Sequence, residues 1–222
     1  MLENDPRRAG TIWMLNLDEA TPAIVPRVHA EFQRVNSDPS TRSGHRLAPA
    51  LVSAMGSSAS AEIAQRFERG CRCYAAWVDN KIVSYGWVSF EEEFIGELNL
   101  RIKLLLGEAY IWDCATLPAF RQKGLYGALL VHIRKELSDE KLCRVWIGAD
   151  MDNTVSQLGM ARAGFHHVAD LVLERVVAIR QVWVVGLPSV PEAIVAEARR
   201  AFLNNRDQVW SNSLISTAKT GS

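Results

Sequence analysis

The stretch FRQKGLYGALLVHIRKEL, residues 120–137, joins a short cationic segment with two glycines to an apolar helix pattern. Polar residues lie on other faces of this pattern than the row of apolar residues, which is the arrangement of an amphipathic helix. The sequence therefore predicts a helix that begins directly after Gly124. Apolar residues recur at every fourth position along it: Leu125, Leu129, Ile133 and Leu137.

The start of this helix is a predicted anion site. A helix start leaves about four N–H groups without partners, and the aligned peptide dipoles add about half a positive charge. Gly124 lets a ligand approach the backbone, and Gly127 keeps the first turn narrow. Arg121 and Lys123 add positive charge at the same point. A pyrophosphate suits these features, and an ordinary strand-to-helix turn with solvated basic residues suits them equally.

Two common phosphate motifs are missing from the sequence. A P-loop needs four residues between its first glycine and Gly-Lys-Ser/Thr, and the dinucleotide fingerprint needs G-x-G-x-x-G. Neither pattern occurs in the chain. We therefore do not expect a nucleotide hydrolase.

Several strand patterns precede the helix. CRCYAAWV (71–78) and KIVSYGWVSF (81–90) flank Asp79 and Asn80, which predicts a hairpin. LNLRIKL (98–104) alternates apolar and polar residues, and GEAYIWDCAT (107–116) is a nearly unbroken apolar run, typical of a central strand. The acidic segment between them, EEEFIGE (91–97), is expected to be irregular.

Further elements follow the helix. CRVWIGA (143–149) predicts a buried strand, and Asn153 to Ala163 predicts a second helix that ends at Gly164. Residues 165–185 supply two more strands or one long bent strand, and 189–203 a terminal helix before a frayed tail. Strands and helices in this order predict an α/β sheet with helices on its faces.

The first seventy residues give weaker patterns. TIWMLNL (11–17) predicts a strand. Ala23, Val25, Val28 and Phe32 have helical spacing, which predicts a helix that begins near Thr21 and Pro22. Short helices are expected around residues 47–55 and 61–69.

Composition narrows the classes of function. With 48% hydrophobic and 23% charged residues, the 222-residue chain fits a globular protein. Its 25 basic and 25 acidic residues cancel, so we expect neither a nucleic-acid nor a membrane partner. No secretory or membrane-spanning pattern is present, which favours the cytoplasm. Cys71 and Cys73 lack the further ligands that zinc requires, so we expect free thiols and no metal.

Two motifs resemble the GNAT superfamily of acyl-CoA-dependent N-acyltransferases. In that family a V-x-P-like turn after the fourth strand precedes R/Q-x-x-G-x-G/A at a helix start. Thr116–Pro118 and Arg121–Tyr126 match this pattern, with Tyr126 where glycine or alanine is usual. NTVSQLGMARAGF (153–165) reproduces a second family motif, N-x-x-A followed by Gly-Phe, with Ser156 at the alanine position.

The resemblance implies a fold class and a domain plan. The fold would be a mixed, mostly antiparallel central sheet with helices on both faces and splayed fourth and fifth strands. Residues 1–187 would form one acyltransferase domain with its acyl-CoA-binding core at about 71–177, and residues 188–222 a C-terminal helix and flexible tail. A homodimer is left open.

The resemblance also implies a binding site for acetyl-CoA. Backbone groups of the fourth strand would pair with the pantetheine arm, and the loop would hold the pyrophosphate. The Asn153 amide would contact the pantetheine, although a plain helix cap explains it equally. The implied binding residues are Cys114, Ala115, Thr116, Arg121, Gln122, Lys123, Gly124, Leu125, Tyr126, Gly127 and Asn153.

The candidates for a general base are carboxylates. Asp113 and, alternatively, Glu108 are candidate general bases. A carboxylate within an apolar strand is costly unless it is paired, and such residues are frequent at functional sites. A structural partner of an arginine or histidine is the other reading of Asp113. Family carboxylates in this role match Tyr110 or Trp112, which strand alternation directs away from Asp113. Met160 stands where the family often has a proton-donating tyrosine.

The resemblance implies an N-acetyltransferase. It would transfer an acetyl group from acetyl-CoA to a small-molecule or peptide amine by direct attack in a ternary complex. The alternative is a non-catalytic acyl-CoA sensor, motivated by Met160. The acidic residues of the 91–97 segment could attract a cationic amine or form a solvated loop tip; they are Glu91, Glu92, Glu93 and Glu97.

Overall fold

The computed structural model describes residues 7–35, 44–98, 100–176 and 179–202. Its strands are β1 Arg7–Asn16, β2 Glu31–Val35, β3 Arg72–Val78, β4 Lys81–Ser89, β5 Glu92–Ile95, β6 Leu100–Lys103, β7 Glu108–Thr116, β8 Arg144–Asp150, β9 His166–Val176 and β10 Ile179–Gly186. Its helices are α1 Gly44–Met55, α2 Ser60–Glu68, α3 Leu125–Asp139, α4 Thr154–Arg162 and α5 Glu192–Phe202. The predicted tail lies outside the described residues.

Eight strands form one sheet in the order β10-β9-β1-β8-β7-β4-β3-β2. Every neighbouring pair is antiparallel except β7 and β8, which are parallel. The helix α3 supplies the crossover that a parallel pair needs. The predicted mixed, mostly antiparallel sheet is therefore confirmed.

Helices cover both faces of the sheet. On one face α3 buries Leu129, Ile133 and Leu137 against Ile111 of β7 and Ile147 of β8. The four-residue spacing seen in the sequence thus marks the face of α3 that packs on the sheet. Burial of each such side chain stabilises the fold by about 1.5–3 kcal/mol. On the other face α1 and α2 cover β3 and β4, and α5 covers β9 and β10.

The parallel strands separate towards their carboxyl ends. Pairing between β7 and β8 runs from Glu108–Arg144 only as far as Ile111–Ile147. Beyond that point β7 continues along β4, and β8 continues along β1 to its last residue. The predicted separation of the fourth and fifth strands, which are β7 and β8 here, is therefore confirmed. We call the space between residues 112–116 and 148–150 the sheet gap.

The helix predicted from Thr21 is wrong. Residues 17–30 contain no helix, and burial alternates from one residue to the next between 22 and 30, which is the period of an extended chain. Pro26 explains the difference: it has no N–H to donate to the Pro22 carbonyl, and its ring would clash there. We call residues 22–27 the strap.

The acidic segment predicted to be irregular forms a second, two-stranded sheet. In it β5 pairs with β6, with Glu92 opposite Lys103 and Phe94 opposite Arg101. Cross-strand pairing of opposite charges stabilises such a hairpin. The predicted β3–β4 hairpin is confirmed, and its turn residues Asp79 and Asn80 both have positive φ, 49° and 62°.

Candidate functional site

The edge of β7 faces the sheet gap with free backbone groups. Leu117 N donates to the Val83 carbonyl of β4 at 2.9 Å. Alternate peptide groups of a strand point to opposite edges, so those of Thr116 and Cys114 point towards the gap. Arg121 Nε donates to the Thr116 carbonyl at 3.2 Å, which agrees with that direction. The gap therefore offers amide partners to an extended molecule.

A β-bulge lies where the gap opens. Tyr85 pairs with Ala115, but Trp87 pairs with Trp112, so Gly86 faces two residues of β7. Asp113 within the bulge has a φ of 42°, in the left-handed region. A Cβ at position 86 would lie 2.8 Å from Cys114 Sγ, so glycine is required opposite the bulge. Such bulges re-aim side chains and are frequent beside active sites.

The glycine loop, residues 121–127, connects β7 to α3. The first helical hydrogen bond runs from Ala128 N to the Gly124 carbonyl, at 3.1 Å. Within the described residues, no N–H group of residues 122–127 donates a hydrogen bond. Gln122 and Gly124 have positive φ, 60° and 77°. The loop thus presents a run of free amides at a helix start, which is the geometry that binds phosphate.

The strap lies against the glycine loop. Arg27 N donates to the Lys123 carbonyl at 2.8 Å. A Cβ at Gly124 would lie 3.5 Å from Pro26 Cα, and one at Gly127 only 3.1 Å from Ile24 Cδ1. The narrow first turn expected from Gly127 therefore has a specific reason, which is the Ile24 side chain packed against it.

Tyr126 turns towards α4. A Cβ at Gly159 would lie 2.5 Å from Tyr126 Cδ1, so the ring occupies the space that Gly159 leaves. Burial raises the pKa of Tyr126, and a hydrogen bond with Ser156 opposes this effect. The residue that departs from the family motif thus packs between α3 and α4 and leaves its own N–H free.

Asn153 caps α4. Its Oδ1 accepts a hydrogen bond from Ser156 N at 3.1 Å. Its Nδ2 donates to no acceptor among the described residues, and the residue is exposed at the start of α4. The cap explains why asparagine suits this position, and it leaves the amide donor available to a ligand.

Asp113 is paired with a buried arginine. Arg66 of α2 forms ion pairs with Asp113 and with Glu62, and the Asp113 side chain is 34% exposed. Arg66 also lies over the ring of Trp112, with 4.4 Å between Cζ and the ring centroid. Strand alternation predicted that Trp112 and Asp113 face opposite ways, and this is wrong, because the bulge lets both contact Arg66.

Glu108 lies at the other end of β7. Its carboxylate accepts from Arg200 Nη2 at 2.7 and 2.8 Å and from Leu105 N at 2.9 Å. Arg144 also pairs with it, at 3.4 Å. At about 3.3 Å per residue, the length of β7 places it roughly 26 Å from Thr116. Glu108 is therefore far from the sheet gap and has structural partners.

Two carboxylates of the acidic segment are paired. Glu92 contacts Arg101 at 2.8 Å. Glu93 is buried, where it pairs with Arg69 and accepts a hydrogen bond from Ser89 Oγ at 2.7 Å. Neither a solvated loop tip nor an unpaired acidic patch describes these two residues.

Met160 stands where the GNAT resemblance implies a proton donor. It lies on the buried face of α4 and cannot donate. Burial raises the pKa of Cys114, and the nearby Asp113 carboxylate adds to this effect. Burial likewise raises the pKa of Tyr85 to about 12, with Asp113 as the next cause. These groups hold their protons at neutral pH.

Sequence reasoning missed Arg66, Gly86 and the strap. A signal existed for the first two: Glu62 precedes Arg66 by one helical turn, and Gly86 interrupts an apolar strand, which often marks a bulge.

Within the described ranges no group of three or more metal-ligating side chains occurs. No helix there has the length and apolar character needed to cross a membrane.

Comparison with known proteins identifies relatives at the level of family and fold. The family described as "Acetyltransferase (GNAT) family" matches residues 45–165. An acetyltransferase from the GNAT family of Colwellia psychrerythraea is 14% identical, with 78% of this chain and 58% of that chain covered and a TM-score of 0.52. A GCN5-related N-acetyltransferase of Sphaerobacter thermophilus is 15% identical, with 83% and 54% covered and a TM-score of 0.50.

A third similar structure is the aminoglycoside N-acetyltransferase AAC(6')-Iy in complex with CoA. It is 15% identical, with 68% of this chain and 98% of that chain covered and a TM-score of 0.46. The chain spans little more than half the length of the Colwellia and Sphaerobacter proteins. The curated proteins include no match to this sequence.

Proposed function

Because this chain belongs to the GNAT family of acetyltransferases, we propose that it transfers an acetyl group from acetyl-CoA to a primary amine. The amine would attack the thioester directly while both substrates are bound. A small-molecule amine or a peptide amine would serve as acceptor.

The run of free amides in the glycine loop carries this proposal. Residues 122–127 offer N–H groups at a helix start, and Arg121 and Lys123 add charge. The sheet gap begins at Thr116, and the side chain of Arg121 reaches back to its carbonyl. A ligand with a pyrophosphate and an amide-bearing arm matches these partners in order, the loop amides first and the β7 edge next. Coenzyme A has that construction.

The residues of the gap would act mainly by positioning. A bound acetyl thioester supplies an activated acyl carbon and a thiolate leaving group. The Cys114 N–H faces the gap and would donate to the acyl oxygen as negative charge develops there. Attack of the amine on the acyl carbon breaks the carbon–sulfur bond and releases a thiolate. Water would take the proton that the nitrogen loses and give one to the thiolate, because Met160 cannot donate and a moderately acidic thiol can leave without a general acid.

Only one of the two predicted bases adjoins the gap. Glu108 is held by Arg200 and Arg144 at the far end of β7. Asp113 lies in the bulge, but Arg66 engages one of its oxygens. The pairing favours a structural role for this carboxylate over proton transfer.

A non-catalytic acyl-CoA sensor is the second candidate function. It is favoured by the burial of Met160 at the position where the family often has a tyrosine. Thiol release, corrected for hydrolysis, over a broad panel of amines separates the two functions. Turnover with any amine supports the enzyme, and tight CoA binding without turnover supports the sensor.

Gly124→Val tests the glycine loop. A valine there must adopt a φ of 77° and places a branched side chain against Pro26 of the strap, so the loop has to shift and its amides lose their directions towards the ligand. We expect the calorimetric Kd for CoA to rise at least about tenfold, the loss of roughly one charge-assisted hydrogen bond.

Gly70→Val is the matched control. Gly70 has a φ of 78°, and a Cβ there would meet no atom within 4 Å. The control carries a similar backbone strain at a site away from the loop, and its CoA affinity should match that of the wild type. Equal CoA affinity of wild type and Gly124→Val would refute the assignment of the loop.

A further inference from the structure

The bulge in β7 is attached to a fixed cation. Arg66 is 8% exposed, and its guanidinium lies over two neighbouring indole rings, with Cζ 4.4 Å from the centroid of Trp112 and 4.9 Å from that of Trp87. Its N–H groups pair with Asp113 in the bulge and with Glu62 on its own helix. Stacking and two ion pairs together leave the guanidinium little freedom to move.

This fixed cation opposes a strained backbone. A left-handed φ is unfavourable for a non-glycine residue, and Asp113 has a φ of 42°. A charge-assisted hydrogen bond is strong enough to offset that cost. The Arg66–Asp113 pair is therefore of the right size to keep the bulge in its observed conformation.

The conformation of Asp113 decides where the next amide points. Rotation about the Asp113 backbone turns the peptide plane that contains Cys114 N, and this N–H faces the sheet gap. Gly86 on β4 completes the arrangement, because any side chain there would displace Cys114. The anchor thus acts on the one amide that the proposed function places against the acyl oxygen.

We propose that Arg66 is a positioning residue that, through Asp113, holds the bulge so that the Cys114 N–H points into the sheet gap. Asp113 is then the backbone anchor of the reaction centre, and its carboxylate does not take the proton of the amine. This inference rests on the proposed acetyl transfer and extends it to residues on α2 and β4.

Two substitutions at position 113 separate an anchor from a base. Asn in Asp113→Asn accepts a hydrogen bond from Arg66 and adopts a left-handed φ readily, but it cannot take a proton. Glycine in Asp113→Gly permits the same φ without an anchor. We expect kcat to fall no more than about fivefold in Asp113→Asn and at least about tenfold in Asp113→Gly.

Substitutions of Arg66 test the other half of the pair. Methionine in Arg66→Met covers the two indoles without donating a hydrogen bond, and Arg66→Lys keeps the charge. We expect Arg66→Met to lower kcat at least about tenfold while the Kd for CoA stays within about twofold, and Arg66→Lys to restore part of kcat. Arg66→Met combined with Asp113→Gly should cost no more than the larger single effect.

The outcomes separate this inference from the function on which it rests. Wild-type protein that neither binds CoA nor turns over any amine defeats the proposed function. With an active wild type, loss of turnover in Asp113→Asn with CoA binding intact identifies a base and overturns the anchor. An unchanged kcat in Asp113→Gly overturns the anchor as well. Glycine adopts the φ at position 113 without strain, so this test holds even if Arg66→Met does not fold.

Discussion

Asn153 uses the two atoms of its amide for different purposes. Oδ1 accepts from Ser156 N and caps α4, whereas Nδ2 donates to no described acceptor. The capping and binding interpretations of this residue are therefore compatible, because each needs a different atom. A substitution that keeps one atom's role and removes the other can separate them.

Asn153→Ser and Asn153→Ala provide that separation. Serine caps a helix about as well as asparagine but is too short to replace the amide donor, and alanine does neither. We expect Asn153→Ala to lose about 1 kcal/mol of unfolding free energy and Asn153→Ser to lose less than about half of that. Both should raise the Kd for CoA about threefold to tenfold, the net contribution of one hydrogen bond. Wild-type affinity in Asn153→Ser would leave the residue only its capping role.

At the scale of elements, the strap orients the glycine loop. The strap ties down the Lys123 carbonyl through Arg27 N. In a trans peptide the carbonyl and the following N–H point in opposite directions, so this tie turns the Gly124 N–H away from the strap. The extended strap therefore sets the direction of an amide that the phosphate site uses.

Arg27→Pro removes the tie and also displaces the Lys123 carbonyl, because the proline Cδ occupies the place of the N–H hydrogen. Proline has no N–H, and its restriction of the preceding residue to extended conformations suits the extended strap. We expect the Kd for CoA to rise about tenfold, since one hydrogen bond is lost and one phosphate-binding amide is released. The matched variant Arg27→Ala keeps the N–H and should change the Kd less than about threefold. Equal effects of the two variants would assign the contribution to the side chain.

Elements stabilised by local pattern were predictable, and those decided by distant contacts were not. The apolar period of α3 and the turn residues of the β3–β4 hairpin act within a few positions, so sequence alone located them. The strap has helical spacing of apolar residues, but two prolines and the space beside Gly127, which Ile24 fills, favour an extended chain. The Asp113 bulge depends on Gly86 in another strand and Arg66 in a distant helix, contacts that the local sequence does not encode.

At the scale of the whole molecule, the sheet is closed at one end of its parallel pair and open at the other. At the closed end the Glu108 carboxylate links β7 to Arg144 of β8 and to Arg200 of α5. At the open end β7 follows β4 and β8 follows β1, which leaves the sheet gap between them. An ion-pair cluster at the closed end lets the strands separate at the other end while the sheet stays intact.

Glu108→Ala should therefore affect stability and leave chemistry alone. Removing one partner of a buried ion pair costs about 3–5 kcal/mol, and the partial exposure of Arg200 places the expected loss near about 3 kcal/mol of unfolding free energy. Glu192→Ala, which removes an exposed partner of Arg199 on the same helix, should cost less than about 1 kcal/mol.

Chemical denaturation measures both losses, and kinetics per folded molecule completes the test. Glu108 lies at the far end of β7 from the sheet gap, so folded Glu108→Ala should keep the kcat and the Kd for CoA of the wild type. A collapse of kcat with unchanged unfolding free energy would instead make Glu108 the proton acceptor. The two ends of β7 would then have to act on one substrate, and the pairing of β7 with β4 on both sides of the bulge keeps those ends apart.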